Sequence, residues 1–390
     1  MSQENKIKYL EGLRGLGAFV VVLSHLVVAF YPALYTANLD QIHTSTGIEI
    51  IIGKSPLNIL YGGNFAVCIF FVLSGYVLSY YYINVGSEKR LKASALKRYF
   101  RLVMPIGFSI MLSYSMMKSG LYFNQIVAPI TKSEWWLGTF WIFEPSLWGA
   151  IKDIVWNVFM NGEWKYNNVL WTMAYEFKGS FIVFLVCFIV PSLKDRKWVY
   201  FALVLFFIKT YYVAFILGLI LCDYETAIIR GISEQYRHHF SRVLLILSLF
   251  MGSYPPGIPY DQLSKIYQFI PYFGIETMKY YHILGAVCLI IAIMASEALK
   301  KILSHRVLLF LGRISFSLYL LHILVIGSVG CKLFLFLIVN HSYSYAVTLT
   351  AIGVLVVTVA IATGMTIFMD EPSNKRLSRW AYKLVKDHEE

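Results

Sequence analysis

Two histidines and an arginine in otherwise apolar surroundings are the residues of this chain with the most chemistry to offer. In "LEGLRGLGAFVVVLSH", Arg14 and His25 stand eleven residues apart. On a helix eleven residues turn through about 1,100°, ~20° past three full turns, so both project from one face, roughly 16 Å apart along the axis. A guanidinium at a water surface holds phosphate in bidentate fashion. An imidazole deep in a dry site serves as a general base near neutral pH. The plainer alternative is a snorkelling arginine and a histidine bonded to a neighbouring helix. Further on, "GRISFSLYLLH" sets Ser315, Tyr319 and His322 at i, i+4 and i+7, again on one helical face. A second histidine with hydroxyls in register favours a shared polar cavity.

Glu176, in "LWTMAYEFKGS", needs a partner. It pairs with Lys178, or it lines the outer mouth of the cavity and orients a histidine or an acceptor hydroxyl. In "KRYFRLVMP", Lys97, Arg98 and Arg101 gather on the cytoplasmic surface at the start of an apolar run. Arg98 and Arg101 are one turn apart and can converge on one anion. Taken alone, they are explained well enough as ordinary cationic anchors.

The elements that carry these residues are set by composition. Hydrophobic residues make up 58% of the 390 and charged residues 14%, against roughly 25% charged in ordinary globular proteins. A soluble fold of this size has nowhere to hide so much apolar surface. The expected fold is therefore all-α, a polytopic integral membrane bundle of about ten transmembrane helices in one domain. The apolar stretches run over about 13–32, 62–83, 102–120, 172–190, 198–209, 210–222, 242–253, 279–297, 307–329 and 345–368. Most approach the ~20 residues that cross a ~30 Å hydrocarbon core. The first is too long for a signal-peptide core and lacks a small-residue cleavage site.

The run from Trp198 to Cys222 reads as one tilted helix or as two short ones broken at Lys209-Thr210. Charge placement favours two. An even number of spans with a cytoplasmic N-terminus puts 24 of the 34 basic residues inside, among them Lys194, Arg230, Arg313 and Lys383. A single span would put the basic C-terminal tail, 369–390, outside. The expectation is a multi-pass protein of the cell membrane with both termini cytoplasmic. The net charge of +12 then reflects orientation and anionic headgroups, with no need for nucleic acid.

The outside segment 121–171 holds seven of the nine tryptophans. It reads as an interfacial aromatic belt or as an aromatic-lined acceptor site, since flat rings stack on sugar faces. The five cysteines lie in or beside apolar runs and read as small core residues. No His, Cys, Asp or Glu cluster has ligand spacing, so no metal is required.

Together these segments resemble the acyltransferase-3 family of integral membrane acyltransferases, of the O-acetyltransferase type. "YLEGLRGLGAFVVVLSH" is similar to its first-span signature and "FFVLSGYVLS" (Phe70 to Ser79) to its second-span motif. "RYFRLVMP" is similar to its Arg-x-x-Arg…Pro opening of the third span, and "LWTMAYEF" to its Trp-Ser/Thr…Glu element. "ISFSLYLLH" and "MDEPSNKRLS" are similar to its late Ser…Tyr…His segment and its closing acidic-Pro stretch. The motifs run in family order over nearly the whole chain.

The resemblance implies an acyl-CoA donor, usually acetyl-CoA, bound from the cytoplasm, and an acceptor hydroxyl outside. Carried over by position, it implies His25 as catalytic base and Arg14, Arg98 and Arg101 as donor-binding cations. Glu176, Ser315, Tyr319 and His322 then line the active cavity. After the glutamate the family usually continues with aromatic residues, whereas this chain has Lys178, Gly179 and Ser180. The acceptor stays open among a surface polysaccharide, a lipid-linked sugar and a glycosylated small molecule. No hydrolase-like domain follows the last span, so transfer is expected to be completed by the membrane domain or a partner. The expected chemistry is direct attack of the hydroxyl on the thioester, with polar groups of the ninth span on the oxyanion. A transporter or scramblase using the same His and Arg residues as a substrate path is the main rival, and a non-catalytic scaffold the second.

Overall fold

The computed structural model describes residues 3–190, 193 and 195–387; Lys194, counted above among the basic residues, lies outside them. Each apolar stretch becomes a helix, and no strand occurs among the described residues. The helices are α1 (Gln3–Phe30), α2 (Gly63–Val85), α3 (Glu88–Lys118), α4 (Trp171–Ile189) and α5 (Arg196–Phe207). They continue with α6 (Tyr212–Arg230), α7 (Glu234–Gly252), α8 (Thr277–Ala295), α9 (Arg306–Val325) and α10 (Tyr343–Met365), and end with α11 (Glu371–Asp387).

Eight of these, all but α5, α7 and α11, are long and apolar enough to cross a membrane. Two of the ten anticipated spans fall short of that. Helix α5 has 12 residues, about 18 Å of helix. The first turns of α7 are polar, with Glu234, Gln235, Arg237, His238 and His239.

The stretch 198–222 folds as two helices. Its turn falls between Phe207 and Tyr212, and α5 then runs back along α6: Tyr200 donates to Asp223 Oδ2 at 2.9 Å, and Arg196 Nε lies 3.1 Å from the same oxygen.

Two buried clusters make up most of the core. One joins Tyr9, Leu10 and Leu13 of α1 to α2, α4, α6 and α8. The other joins Ala18, Val21, Val22 and Leu26 of α1 to α3, α9, α10 and the 121–171 segment. Helix α1 is thus the seam between two sub-bundles.

Glycines make the closest helix contacts. A Cβ on Gly15 would lie 2.4 Å from the Gly312 nitrogen, and one on Gly312 would lie 2.3 Å from the Glu11 carbonyl oxygen. Any larger residue at either position forces α1 and α9 apart. Gly75 and Gly218 play the same part between α2 and α6, where each Cβ would come within 2.0 Å of a backbone oxygen of the other helix. Small residues that let backbones approach are the usual means of packing helices in lipid.

The Lys- and Arg-rich ends of the helices form one end of the bundle, the basic end. At the other, the aromatic end, 121–171 is joined by two further structured segments, 33–61 and 253–276. The segments 121–171 and 33–61 are fastened together: Lys132 donates to the Ile42 carbonyl at 3.0 Å, and His43 Nε2 donates to the Thr131 carbonyl at 3.0 Å.

Candidate active site

Helices α1 and α9 run parallel, and the glycine contact fixes their register. Gly15 precedes His25 by ten residues, and Gly312 precedes His322 by ten. The two imidazoles therefore arrive at the same height, and His25 Nδ1 lies 2.7 Å from His322 Nε2 with the rings 10° from parallel.

The next hydrogen bond decides which nitrogens hold protons. His322 Nδ1 lies 3.1 Å from the Leu318 carbonyl. A carbonyl only accepts, so Nδ1 carries the proton and Nε2 of neutral His322 offers a lone pair. His25 must then donate from Nδ1. The lone pair of neutral His25 is left on Nε2, the atom free to receive a proton.

Trp136 also packs against His25, with ring centroids 5.3 Å apart and planes 22° from parallel. Its loop is held to α1 by Ser133 Oγ, which donates to the Val28 carbonyl at 2.7 Å. The tryptophans of the segment thus divide. Trp135, Trp148, Trp156 and Trp164 are exposed, as membrane-surface residues are. Trp136 and Trp141 turn inward, Trp141 lying on Tyr122 at 3.7 Å between centroids.

The hydroxyls of α9 are less available than their spacing suggests. Tyr319 is tied to the start of α4, its OH 2.7 Å from Thr172 Oγ1 and 3.0 Å from the Val169 carbonyl that accepts from it. Its ring stays beside His322, 6.0 Å between centroids. Ser315 is buried two turns before His322 and shares no hydrogen bond with it.

The charged residues collect toward the basic end. Glu176 pairs with Arg98, whose Nη2 donates to Oε1, and not with Lys178, which donates to the Met160 carbonyl at 2.8 Å. The same Glu176 oxygen accepts from Ser74 Oγ at 2.7 Å, and Arg98 Nε donates to Ser180 Oγ at 2.8 Å. Arg98 is therefore buried in a satisfied ion pair joining α2, α3 and α4, where the sequence suggested the bundle's surface. Its hydrogen bonds go to the framework.

Arg14 and Arg101 differ. They lie within electrostatic reach of each other, of Glu176 and of Asp370, yet neither makes a hydrogen bond or ion pair among the described residues. Two cations without direct partners at one end of α1, and a proton acceptor three turns along the same helix, suit an elongated anionic substrate lying beside α1.

Sequence reasoning missed Trp136, Ser74 and Asp370. Trp136 was one of seven tryptophans with nothing to single it out. Ser74 and Asp370 stand inside quoted motifs, but only the packed helices bring Ser74 to Glu176 and Asp370 within electrostatic reach of Arg101 and Arg14.

The sequence pattern of the acyltransferase-3 family, described as an acyltransferase domain, matches residues 7–366. The chain belongs to this family. It is 25% identical to the O-acetyltransferase PaAT-1 of Phomopsis amygdali over 393 aligned positions, covering 84% of this chain and 75% of that protein. To acyltransferase clz18 of Cochliobolus lunatus it is 24% identical over 394 positions, covering 84% of each. No solved structure matches. The protein is thus a multi-pass membrane O-acyltransferase. The arrangement holds an imidazole with a defined lone pair, a second imidazole that fixes its tautomer, and two cations without direct partners.

Proposed function

We propose that the protein transfers an acyl group, acetyl in the first instance, from acyl-CoA to a hydroxyl of a sugar-containing acceptor. The donor comes from the cytoplasm, which the basic end faces, and the acceptor from the other side of the cell membrane. The acceptor class is a polysaccharide, a lipid-linked sugar or a glycosylated small molecule. The observation that carries the proposal is the alignment on α1 of the unpaired Arg14 with a His25 whose Nε2 lone pair is free.

In this reading Arg14 and Arg101 hold the diphosphate of CoA, and the pantetheine arm runs along α1 past Ser315 to His25. The acceptor hydroxyl gives its proton to His25 Nε2 as its oxygen attacks the thioester carbonyl. The tetrahedral intermediate collapses with cleavage of the C–S bond. The leaving thiolate takes the proton back from His25, which returns to its starting tautomer. His322 remains neutral throughout and keeps Nδ1 of His25 occupied. Arg98 and Glu176 hold α2, α3 and α4 at the spacing the donor needs, and Trp136 offers the acceptor a flat face beside the base.

The test is CoA release from acetyl-CoA by purified protein in nanodiscs. It is paired with mass spectrometry of polysaccharide and glycolipids from cells with and without the gene. Release that depends on His25, with an added acetyl mass in one glycan fraction, is the expected result. Failure of acetyl-CoA and longer thioesters alike to be consumed would rule out the donor.

A further inference from the structure

Helix α11 is attached to the bundle in a way that the transfer reaction does not require. Helix α10 continues into it through a π-turn, Thr366–Asp370, and Arg313 locks the junction by donating to both carboxylate oxygens of Glu371, at 2.5 and 2.9 Å. It then lies antiparallel along the first half of α3. Ala381 and Val385 seat against Ala93, and Lys97 Nζ donates to Ser378 Oγ at 3.0 Å.

The helix has three different faces. Ala381 and Val385 are buried, and Trp380, edge-on to Phe100, continues an exposed apolar strip with Leu96 and Met104. The third face is basic and aromatic. It forms an open hollow of about 510 Å3 lined by Ser378, Arg379, Tyr382 and Lys383.

Three features suit this hollow to a phosphate beside a flat ring. Lys97, at its edge, is held by a neutral hydroxyl, so its charge is not cancelled there. Tyr382 is 45% exposed, and Lys89 Nζ lies over its ring 5.9 Å from the centroid, which adds a further cation beside the aromatic face. Lys97 is also one turn from Arg101 on α3 and within electrostatic reach of it, so the hollow continues the row of cations from the donor site.

We propose that this hollow on α11, with Lys97 of α3 bonded to Ser378 at its edge, binds the nucleotide end of the donor, the 3′-phosphorylated adenosine of coenzyme A. Lys97 and Arg379 hold the 3′-phosphate, and Tyr382 stacks on adenine. The assignment rests on the acyl-CoA reading above and divides the donor's charge between two places. Arg14 and Arg101 take the diphosphate, and the hollow takes the monoester, which carries about −1.5 to −2 at neutral pH. The exposed strip of Leu96, Phe100, Met104 and Trp380 is left for lipid.

The experiment compares acetyl-CoA with acetyl-dephospho-CoA, which lacks only the 3′-phosphate, by equilibrium binding to the full chain in nanodiscs of neutral phosphatidylcholine. The wild type should favour acetyl-CoA by about tenfold or more, the scale of a lost hydrogen bond to a charged group. Lys97→Gln and Arg379→Gln should each erase most of that preference while changing dephospho-thioester affinity less than twofold. Tyr382→Leu should weaken both thioesters. Lys301→Gln, which removes an exposed cation of the basic end outside the hollow, should keep the preference. Equal binding of the two thioesters by the wild type, or a preference that survives both substitutions, would overturn the assignment and leave the hollow to phosphate headgroups. So would a Lys301→Gln effect as large as that of Lys97→Gln. If the wild type binds neither thioester, the donor reading itself falls.

Discussion

Gly15 of α1 lies against Gly312 of α9, backbone to backbone, and the same offset of 297 residues separates His25 from His322. The glycine contact and the histidine pair are two points on one parallel, in-register seam, about 15 Å apart at 1.5 Å per residue. Packing at the basic end therefore sets the geometry of the histidine pair.

This makes the glycines a test of positioning. Gly15→Ala or Gly312→Ala puts a methyl group within 2.5 Å of backbone atoms that have no side-chain freedom to yield. Helix separation should stretch the His25–His322 hydrogen bond, lowering turnover by at least tenfold and stability by about 1–3 kcal/mol, as overpacking does. Gly364→Ala, where nothing lies within 4 Å, should leave both unchanged or raise stability slightly. Wild-type turnover in Gly312→Ala would show that the seam does not govern the site.

Arg98 and Arg101, alike in the sequence, should separate by phenotype. Arg98→Ala strands Glu176 in the core, and breaking a buried pair costs about 3–5 kcal/mol, so melting temperature and yield should fall. Arg98→Met with Glu176→Leu removes both charges and should recover part of that loss. Arg101→Ala should melt like the wild type but bind acetyl-CoA about ten- to a hundredfold more weakly. Thermal melts in detergent beside donor binding decide it. A stable Arg98→Ala with weakened donor binding would return Arg98 to the ligand.

Much of this was legible beforehand, for identifiable reasons. Apolar length marked α1 to α10, because lipid permits no other way to satisfy the backbone, but not the polar α11. The charge bias led to the reading of 198–222 as two helices, and the structure folds that stretch back on itself. What a single sequence hides is pairing between distant segments. Glu176 has Lys178 two residues away and Arg98 seventy-eight away, and the structure chooses the distant partner. The repeated Gly-x9-His spacing of α1 and α9 was present in the sequence, but it acquires meaning only once the two helices are known to be parallel. Tyr319 shows the converse: its spacing placed it in the cavity, yet α4 takes its hydroxyl.

The fastening between the aromatic-end segments should weaken in acid. His43 stacks on Tyr343 at 3.8 Å between centroids and donates to Thr131. Burial lowers its pKa below the ordinary 6.5, the Lys132 cation adds to this, and the Thr131 hydrogen bond and Glu49 oppose it. With the folded value depressed, the unfolded segment binds more protons between the two pKa values. The contribution of neutral His43 is thus complete above about pH 6.5 and lost as pH falls toward the lower value. Protection factors over 38–49, taken relative to the intrinsic exchange rate at each pH, should fall between pH 7.5 and 5.5. His43→Phe, which keeps the stacked ring, should remove that pH dependence. An unchanged acid response in His43→Phe would move its origin elsewhere.

The two histidines should fail in different ways. His25→Gln keeps polarity but cannot accept and release a proton, so transfer should fall by about 10²–10⁴. Acetyl-CoA affinity should hardly change, since the arginines lie about three turns away. His322 is asked only for an acceptor opposite His25 Nδ1. A glutamine carbonyl oxygen can supply that, so His322→Gln should retain substantial activity, while His322→Leu should lose it by allowing the His25 tautomer to switch. Single-turnover transfer measured beside equilibrium CoA binding separates these outcomes, and the pH profile of His322→Gln should keep the wild-type shape if His25 alone titrates in the reaction. Near-normal transfer by His25→Gln, with His322→Gln inactive, would exchange the two roles: His322 would be the base and His25 the residue that positions it.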